Sequence, residues 1–210
     1  MSPALPTPSL PDAFYLLDYF GLAVFAISGA LLAAERCQTL VTFLFFAVVT
    51  EVGGGIMRGL LTGAPVFWVH KNLTLAICLA AGLAVWLTAR QRWNERGLLW
   101  FDVLGLAAYS AYGASKALAY GVAPIPAFVM GVLTACAGGI IRDVLAGEPS
   151  ILMRPEIYVT AAALSSALFV TLTVAGLAAL PAAAIAFVAA FVLRGMAIAK
   201  GLKLPGYVGR

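Results

Sequence analysis

Two arginines stand just after paired glycines inside strongly apolar sequence: Gly53-Gly54-Gly55-Ile56-Met57-Arg58 and Ala137-Gly138-Gly139-Ile140-Ile141-Arg142-Asp143. An arginine at membrane depth costs about 2.5–3.5 kcal/mol on insertion scales, so two in matched settings point to a purpose. Either they snorkel to lipid headgroups, as the nearness of Arg58 to the Gly63–Pro65 turn allows, or they line or gate a water-filled cavity. The glycines are open to two readings as well. They permit close packing of helix backbones, or they bend or break a helix and free carbonyl oxygens, which are hard ligands suited to an alkali cation. The acids available to the arginines are Glu51, Asp18, Asp102 and Asp143. Asp18 and Asp102 either pair with the arginines or sit at helix N-termini against the dipole. Lys116, among Tyr109, Ser110, Tyr112 and Ser115, either faces a polar cavity or snorkels. His70 beside Lys71 reads as a solvated loop residue, and Cys37, Cys78 and Cys136 are scattered as small core residues. No HExxH, P-loop or Ser-His-Asp arrangement is present, so neither an enzyme nor a permanent metal or cofactor is expected.

The elements that must carry these residues follow from composition. Of 210 residues, 63% are hydrophobic and 10% charged, and the mean hydropathy is +1.01. A soluble domain runs at roughly 45–50% apolar and about 25% charged, so a soluble globular protein and a disordered chain are both excluded. The apolar residues come in long runs rather than in alternation, which excludes an outer-membrane barrel. Seven runs are predicted as membrane helices, at 14–34, 39–61, 72–90, 99–118, 124–146, 157–178 and 182–200. The net charge of +4 sits at the ends of these runs, which suits an anionic leaflet and not nucleic acid. Arg36, the Arg90–Arg92–Arg96 loop, Arg154, Lys200, Lys203 and Arg210 fall on one side of a seven-span topology, and only Lys71 on the other. The positive-inside rule then puts the N-terminus outside and the C-terminus in the cytoplasm. The Pro-rich first 13 residues lack the basic start of a cleavable signal peptide and read as an extracytoplasmic tail.

The sequence also matches itself at an ungapped offset of 84 residues. Asp18 falls on Asp102, Gly21 on Gly105, Gly29 on Gly113, Thr50 on Thr134, Gly54-Gly55-Ile56 on Gly138-Gly139-Ile140, Arg58 on Arg142, and Pro65 on Pro149. Membrane composition yields chance Ala and Leu matches, but not Asp, Arg and Pro at one offset. Three spans per copy is an odd number, so the second copy must be inverted relative to the first. The expected fold is all-α: a first three-helix repeat with its linker at 14–98, a second, inverted repeat at 99–180, and a seventh helix with a cytoplasmic tail at 181–210. Glu51 has Ala135 as its counterpart, and Asp143 has Gly59, so a pathway between the repeats would be electrically asymmetric. The apolar stretch Thr39–Val69 would be about 46 Å long as one helix, against a core of ~30 Å, so it must tilt, kink or break.

The duplicated Gly-Gly-Ile-x-Arg motif, the three-plus-three-plus-one layout and the stretch GGIIRDVLAGEPSILMR resemble prokaryotic members of the trimeric intracellular cation (TRIC) channel family. The resemblance implies a homotrimer in the bacterial inner membrane, with a potassium-conducting pore inside each protomer. It also implies that the second and fifth helices bend at their glycines and line the path, here Gly53, Gly54, Gly55, Gly138 and Gly139. Potassium would be a transient occupant and membrane lipids the surroundings. The alternative is a secondary transporter of a small polar solute, which inverted repeats serve equally well.

Overall fold

The structure is a computed structural model that describes residues 12–69, 71–88 and 97–205. Residues 1–11 of the tail, His70, the Arg90–Arg96 loop and Arg210 lie outside the described residues, and residues 12 and 13, expected in the tail, belong to the first helix. Seven helices follow in order: α1 (Asp12–Glu35), α2 (Leu40–Thr62), α3 (Asn72–Leu87), α4 (Gly97–Ala119), α5 (Pro124–Leu145), α6 (Val159–Val174) and α7 (Ala179–Lys200). Helices α1, α2, α5 and α7 are long and apolar enough to cross a membrane. Helices α3 and α6, the third of each repeat, are apolar but have 16 residues each, or about 24 Å.

The helix ends repeat as the sequence does. Gly63 (φ 66°) and Gly147 (φ 72°) take the left-handed conformation just past α2 and α5, and Pro65 and Pro149 follow. The stop at Gly63 removes the length problem posed by Thr39–Val69. Helix α2 has 23 residues, about 35 Å, and runs without a break through Gly53, Gly54 and Gly55; α5 likewise runs unbroken through Gly138 and Gly139. Of the tilt, kink or break expected for Thr39–Val69, the chain stops its helix at Gly63, past the paired glycines. Pro181 lies in the first turn of α7, where a missing N–H is harmless.

Reciprocal contacts reveal the inversion. A Cβ on Gly21 would press on the Tyr109 ring, and one on Gly105 would press on the Phe25 ring. Phe25 and Tyr109 are counterparts at the offset of 84, and their rings lie 5.3 Å apart. Contacts that pair rising numbers on α1 with falling numbers on α4 make those helices antiparallel. The same holds for α2 and α5, where a Cβ on Gly54 would overlap the Thr134 carbonyl oxygen and one on Gly138 the Thr50 carbonyl oxygen. The chain thus forms two inverted three-helix repeats, with α7 packed on α4 and α6. The core has two large buried clusters, one around Leu22, Ala26, Phe43 and Cys78 of the first repeat, the other around Leu106, Ala135, Tyr158 and Phe169 of the second, which Phe14 and Phe25 of α1 and Ala182 and Ala186 of α7 join.

Candidate functional site

Two charged cavities enter the bundle from opposite ends. One, of about 440 Å³, lies where α1 begins and α2 and α4 end, and contains Arg58. The other, of about 370 Å³, lies where α1 and α5 end and α4 begins, and contains Arg142. They are related by the offset of 84: Asp18 and Arg58 line the first, Asp102 and Arg142 the second. Among the described residues none lines both. Between them lies a buried layer in which Thr50 and Gly138 of one crossing meet Gly54 and Thr134 of the other, flanked by the Phe25–Tyr109 pair.

Helix α2 lines the first cavity through Glu51, Gly55, Arg58, Gly59 and Thr62, a single stripe at helical spacing. Helix α5 lines the second through Arg142 and Asp143 and reaches the first only at Thr134. Of the five singled-out glycines, Gly55 faces the first cavity, and Gly54 and Gly138 form the backbone contacts of the central layer. Gly53 lies against Gly138, and Gly139 against the Tyr158 hydroxyl, so close approach of neighbours accounts for all four.

The two arginines differ in state. Arg142 is 1% exposed and fully engaged. Its Nη1 donates to Ser28 Oγ (2.6 Å) and Asp102 Oδ1 (2.8 Å), while Nε and Nη2 both donate to Asp143 Oδ1 (3.0 and 2.9 Å). The second Asp143 oxygen accepts the Ile151 N–H at 3.1 Å, which ties the loop after α5 to the same cluster. Arg58 forms no ion pair among the described residues; its guanidinium lies 5.4 Å over the Tyr112 ring. Tyr112 is the counterpart of Ser28, so each arginine meets the same position of the other repeat. Arg58 lines the first cavity, and Arg142 is locked by its partners in the second.

Asp18 and Asp102 lie beyond the first turns of α1 and α4, so they are not dipole acids. Asp102 pairs with Arg142, and Asp18 lines the first cavity beside Tyr112, with its backbone oxygen 3.4 Å from the Tyr109 hydroxyl. Lys116 faces the first cavity, 5.9 Å from the centres of both Tyr15 and Tyr112, with Lys71 over the other approach to Tyr15. Glu51, 2% exposed, forms part of the floor of the cavity and accepts the Tyr109 hydroxyl at 3.0 Å. In the second cavity Arg36 pairs with Glu148. Beside the α5–α6 segment, Arg194 pairs with Glu156, which also bridges to Lys203. Arg36, Arg154 and Lys203 thus gather at one end of the bundle.

Sequence reasoning missed Ser28, Tyr15 and Cys78 as neighbours of charged groups. Applying the offset of 84 to Tyr112, rather than searching only for identities, would have found Ser28.

Known proteins share this architecture. A family model described as "Glycine transporter" matches twice, at residues 15–90 and 99–175, segments whose starts lie 84 apart. The chain is 42% identical over 154 residues to a "UPF0126 membrane protein" of Vibrio cholerae, spanning 70% of this chain and 63% of that relative's length. It is 42% identical over 150 residues to the "UPF0126 inner membrane protein YadS" of Escherichia coli K12, spanning 70% of this chain and 72% of the relative. Among solved structures, the TRIC trimeric intracellular cation channel orthologue of Rhodobacter sphaeroides superposes with a TM-score of 0.84. It is 38% identical, and the match covers 91% of this chain and all of that one.

Proposed function

Because the chain belongs to the family described as Glycine transporter, which takes in the prokaryotic TRIC channels, we propose that it is a membrane pathway for monovalent cations, potassium first. The observation that carries the reading is the pair of charged cavities that enter one protomer from opposite ends, with the buried contacts of Thr50, Gly54, Thr134 and Gly138 between them. Helix α2 lines one half of the path and α5 the other, and conduction requires the layer at Gly54, Thr134, Gly138 and Thr50 to part. Irregular or polar surface at membrane depth is tolerated where it borders such a cavity. The protomer assembles as a homotrimer in the bacterial inner membrane, like the trimeric and inner-membrane proteins it resembles. The Lys/Arg distribution turns the Arg58 cavity outward and the Arg142 cavity to the cytoplasm. The test is planar-bilayer recording of the purified protein in potassium and in sodium chloride, with native mass measurement of the assembly. Ohmic unitary currents from a trimer are expected; a silent bilayer would remove the channel reading.

A second reading has one observation in its favour. The Arg58 cavity holds acids (Asp18, Glu51) and bases (Arg58, Lys71, Lys116) in a volume of about 440 Å³. Opposed charges of this kind suit a zwitterion, and the family model is described by glycine. Saturable counterflow of labelled glycine in proteoliposomes, without ionic current, would favour a carrier instead.

A further inference from the structure

Glu51 is the most deeply placed acid on the α2 face of the Arg58 cavity. Asp102, Asp143 and Glu148 in the Arg142 cavity are each ion-paired to an arginine. Asp18, nearer the mouth, shares the cavity with Arg58, Lys71 and Lys116. Glu51 forms no ion pair among the described residues and lies at the deepest point of α2's cavity-lining stripe.

Its surroundings can be stated helix by helix. From α4, Tyr109 donates to Oε1 at 3.0 Å, and from α3 the Cys78 Sγ lies 4.0 Å from Oε2. From α1 the facing charge is Asp18, of like sign, and on α2 itself the nearby charge is Arg58, seven residues along the same face. Helix α5 offers Thr134, whose hydroxyl is already committed to the Met130 carbonyl at 2.7 Å. A carboxylate so placed, with one hydroxyl donor, one weak thiol donor and no cation of its own, is costly to bury.

We propose that Glu51 is a binding site, at the floor of the Arg58 cavity, for which a proton and the permeant monovalent cation compete. The proposal rests on the cation-pathway reading and deepens it. With the cavity free of cations, Glu51 holds a proton. An arriving cation supplies the missing countercharge, and the proton leaves to the water of the cavity, so one positive charge replaces another. The cavity lining explains why the exchange governs entry. With both acids ionised, three bases face two acids; with Glu51 protonated, three bases face one, so the net positive charge doubles and the field opposes a cation more strongly. The counterpart of Glu51 in the second repeat is Ala135, so the competition belongs to one side of the membrane only.

Infrared difference spectroscopy on the protein in liposomes reads the site directly. At fixed pH, replacing choline chloride with potassium chloride should bleach a carboxylic-acid carbonyl band that Glu51→Gln lacks. Glu51→Asp shifts that band and carries its assignment if the glutamine variant does not fold. In bilayers, acidifying the Arg58 side should depress potassium current, and raising potassium should restore it, whereas acid on the other side should not. Glu51→Gln should conduct about tenfold less and lose this pH dependence, since a unit charge at the floor is gone. A band indifferent to potassium, or pH dependence that survives in Glu51→Gln, overturns the proposal. A potassium-sensitive band in a protein that carries no current would leave the site standing and remove the pathway. Current with neither effect would do the reverse.

Discussion

Replacing Arg142 with methionine should destabilise the protein more than any change to its acids, and the structure gives the reason. The cluster of Arg142, Asp102 and Asp143 carries one positive and two negative charges, all buried. Arg142→Met keeps the volume but leaves two uncompensated carboxylates in each other's field. Removing one side of a buried ion pair costs about 3–5 kcal/mol, and here two acids are stranded, so the cost should reach at least the top of that range. Asp102→Asn leaves one arginine facing one aspartate, a balanced pair, and still offers an acceptor to Nη1. It exchanges one charged hydrogen bond for a neutral one, a loss of about 1 kcal/mol. Asp143→Asn lies between. Its one oxygen can serve either the guanidinium or the Ile151 N–H, and its amide nitrogen then meets the other as donor against donor, for about 2–3 kcal/mol. The double variant Arg142→Met/Asp102→Asn removes half of the stranded charge and should recover part of the single-variant loss. Thermal unfolding of the purified variants in one detergent, followed by the retained fraction of assembled protein, gives the order. Arg142→Met as stable as its parent, or less damaging than Asp102→Asn, would refute the view that this buried cluster depends on its only cation.

Three further outcomes are expected. Gly54→Leu and Gly138→Leu should each cut conductance while the protein still inserts; the new side chain overlaps a backbone carbonyl across the central layer, an overpacking cost of at least about 1–3 kcal/mol that outweighs the ~1 kcal/mol of gained helix propensity. Wild-type conductance from well-assembled glycine variants would mean that this layer is not the barrier. Lys203→Ala should leave conductance and stability unchanged in the same assays, because Lys203 meets Glu156 through a backbone bridge and its side chain is exposed. A C-terminal reporter active only in the periplasm should be silent, and activity from it would reverse the assignment of the two cavities to the two sides.

Much of this was legible in the sequence because it depends on local patterns and on symmetry. Spans follow from runs of apolar residues, helix stops from the Gly63–Pro65 and Gly147–Pro149 signals, and inversion from an offset that contains an odd number of spans. The coincidence of Asp, Gly and Arg at that offset also singled out the residues that line the two cavities. What the sequence left open were choices between two uses of one residue type. Paired glycines serve a bend or a close crossing equally well; the tertiary structure shows the crossing of α2 on α5, where Gly54 and Gly138 each face a carbonyl from the other repeat. The two arginines have the same local sequence, yet Arg142 is locked and Arg58 faces an open cavity. The difference lies in neighbours distant along the chain. Asp143 adds an acid where Gly59 has none, and Ser28 gives Arg142 a hydroxyl where Tyr112 gives Arg58 a ring. Periodicity fixes which face of a helix is apolar, but a charge's state depends on what the opposite helix brings within about 3 Å of it. That is set by helix packing, and only the tertiary structure supplies it.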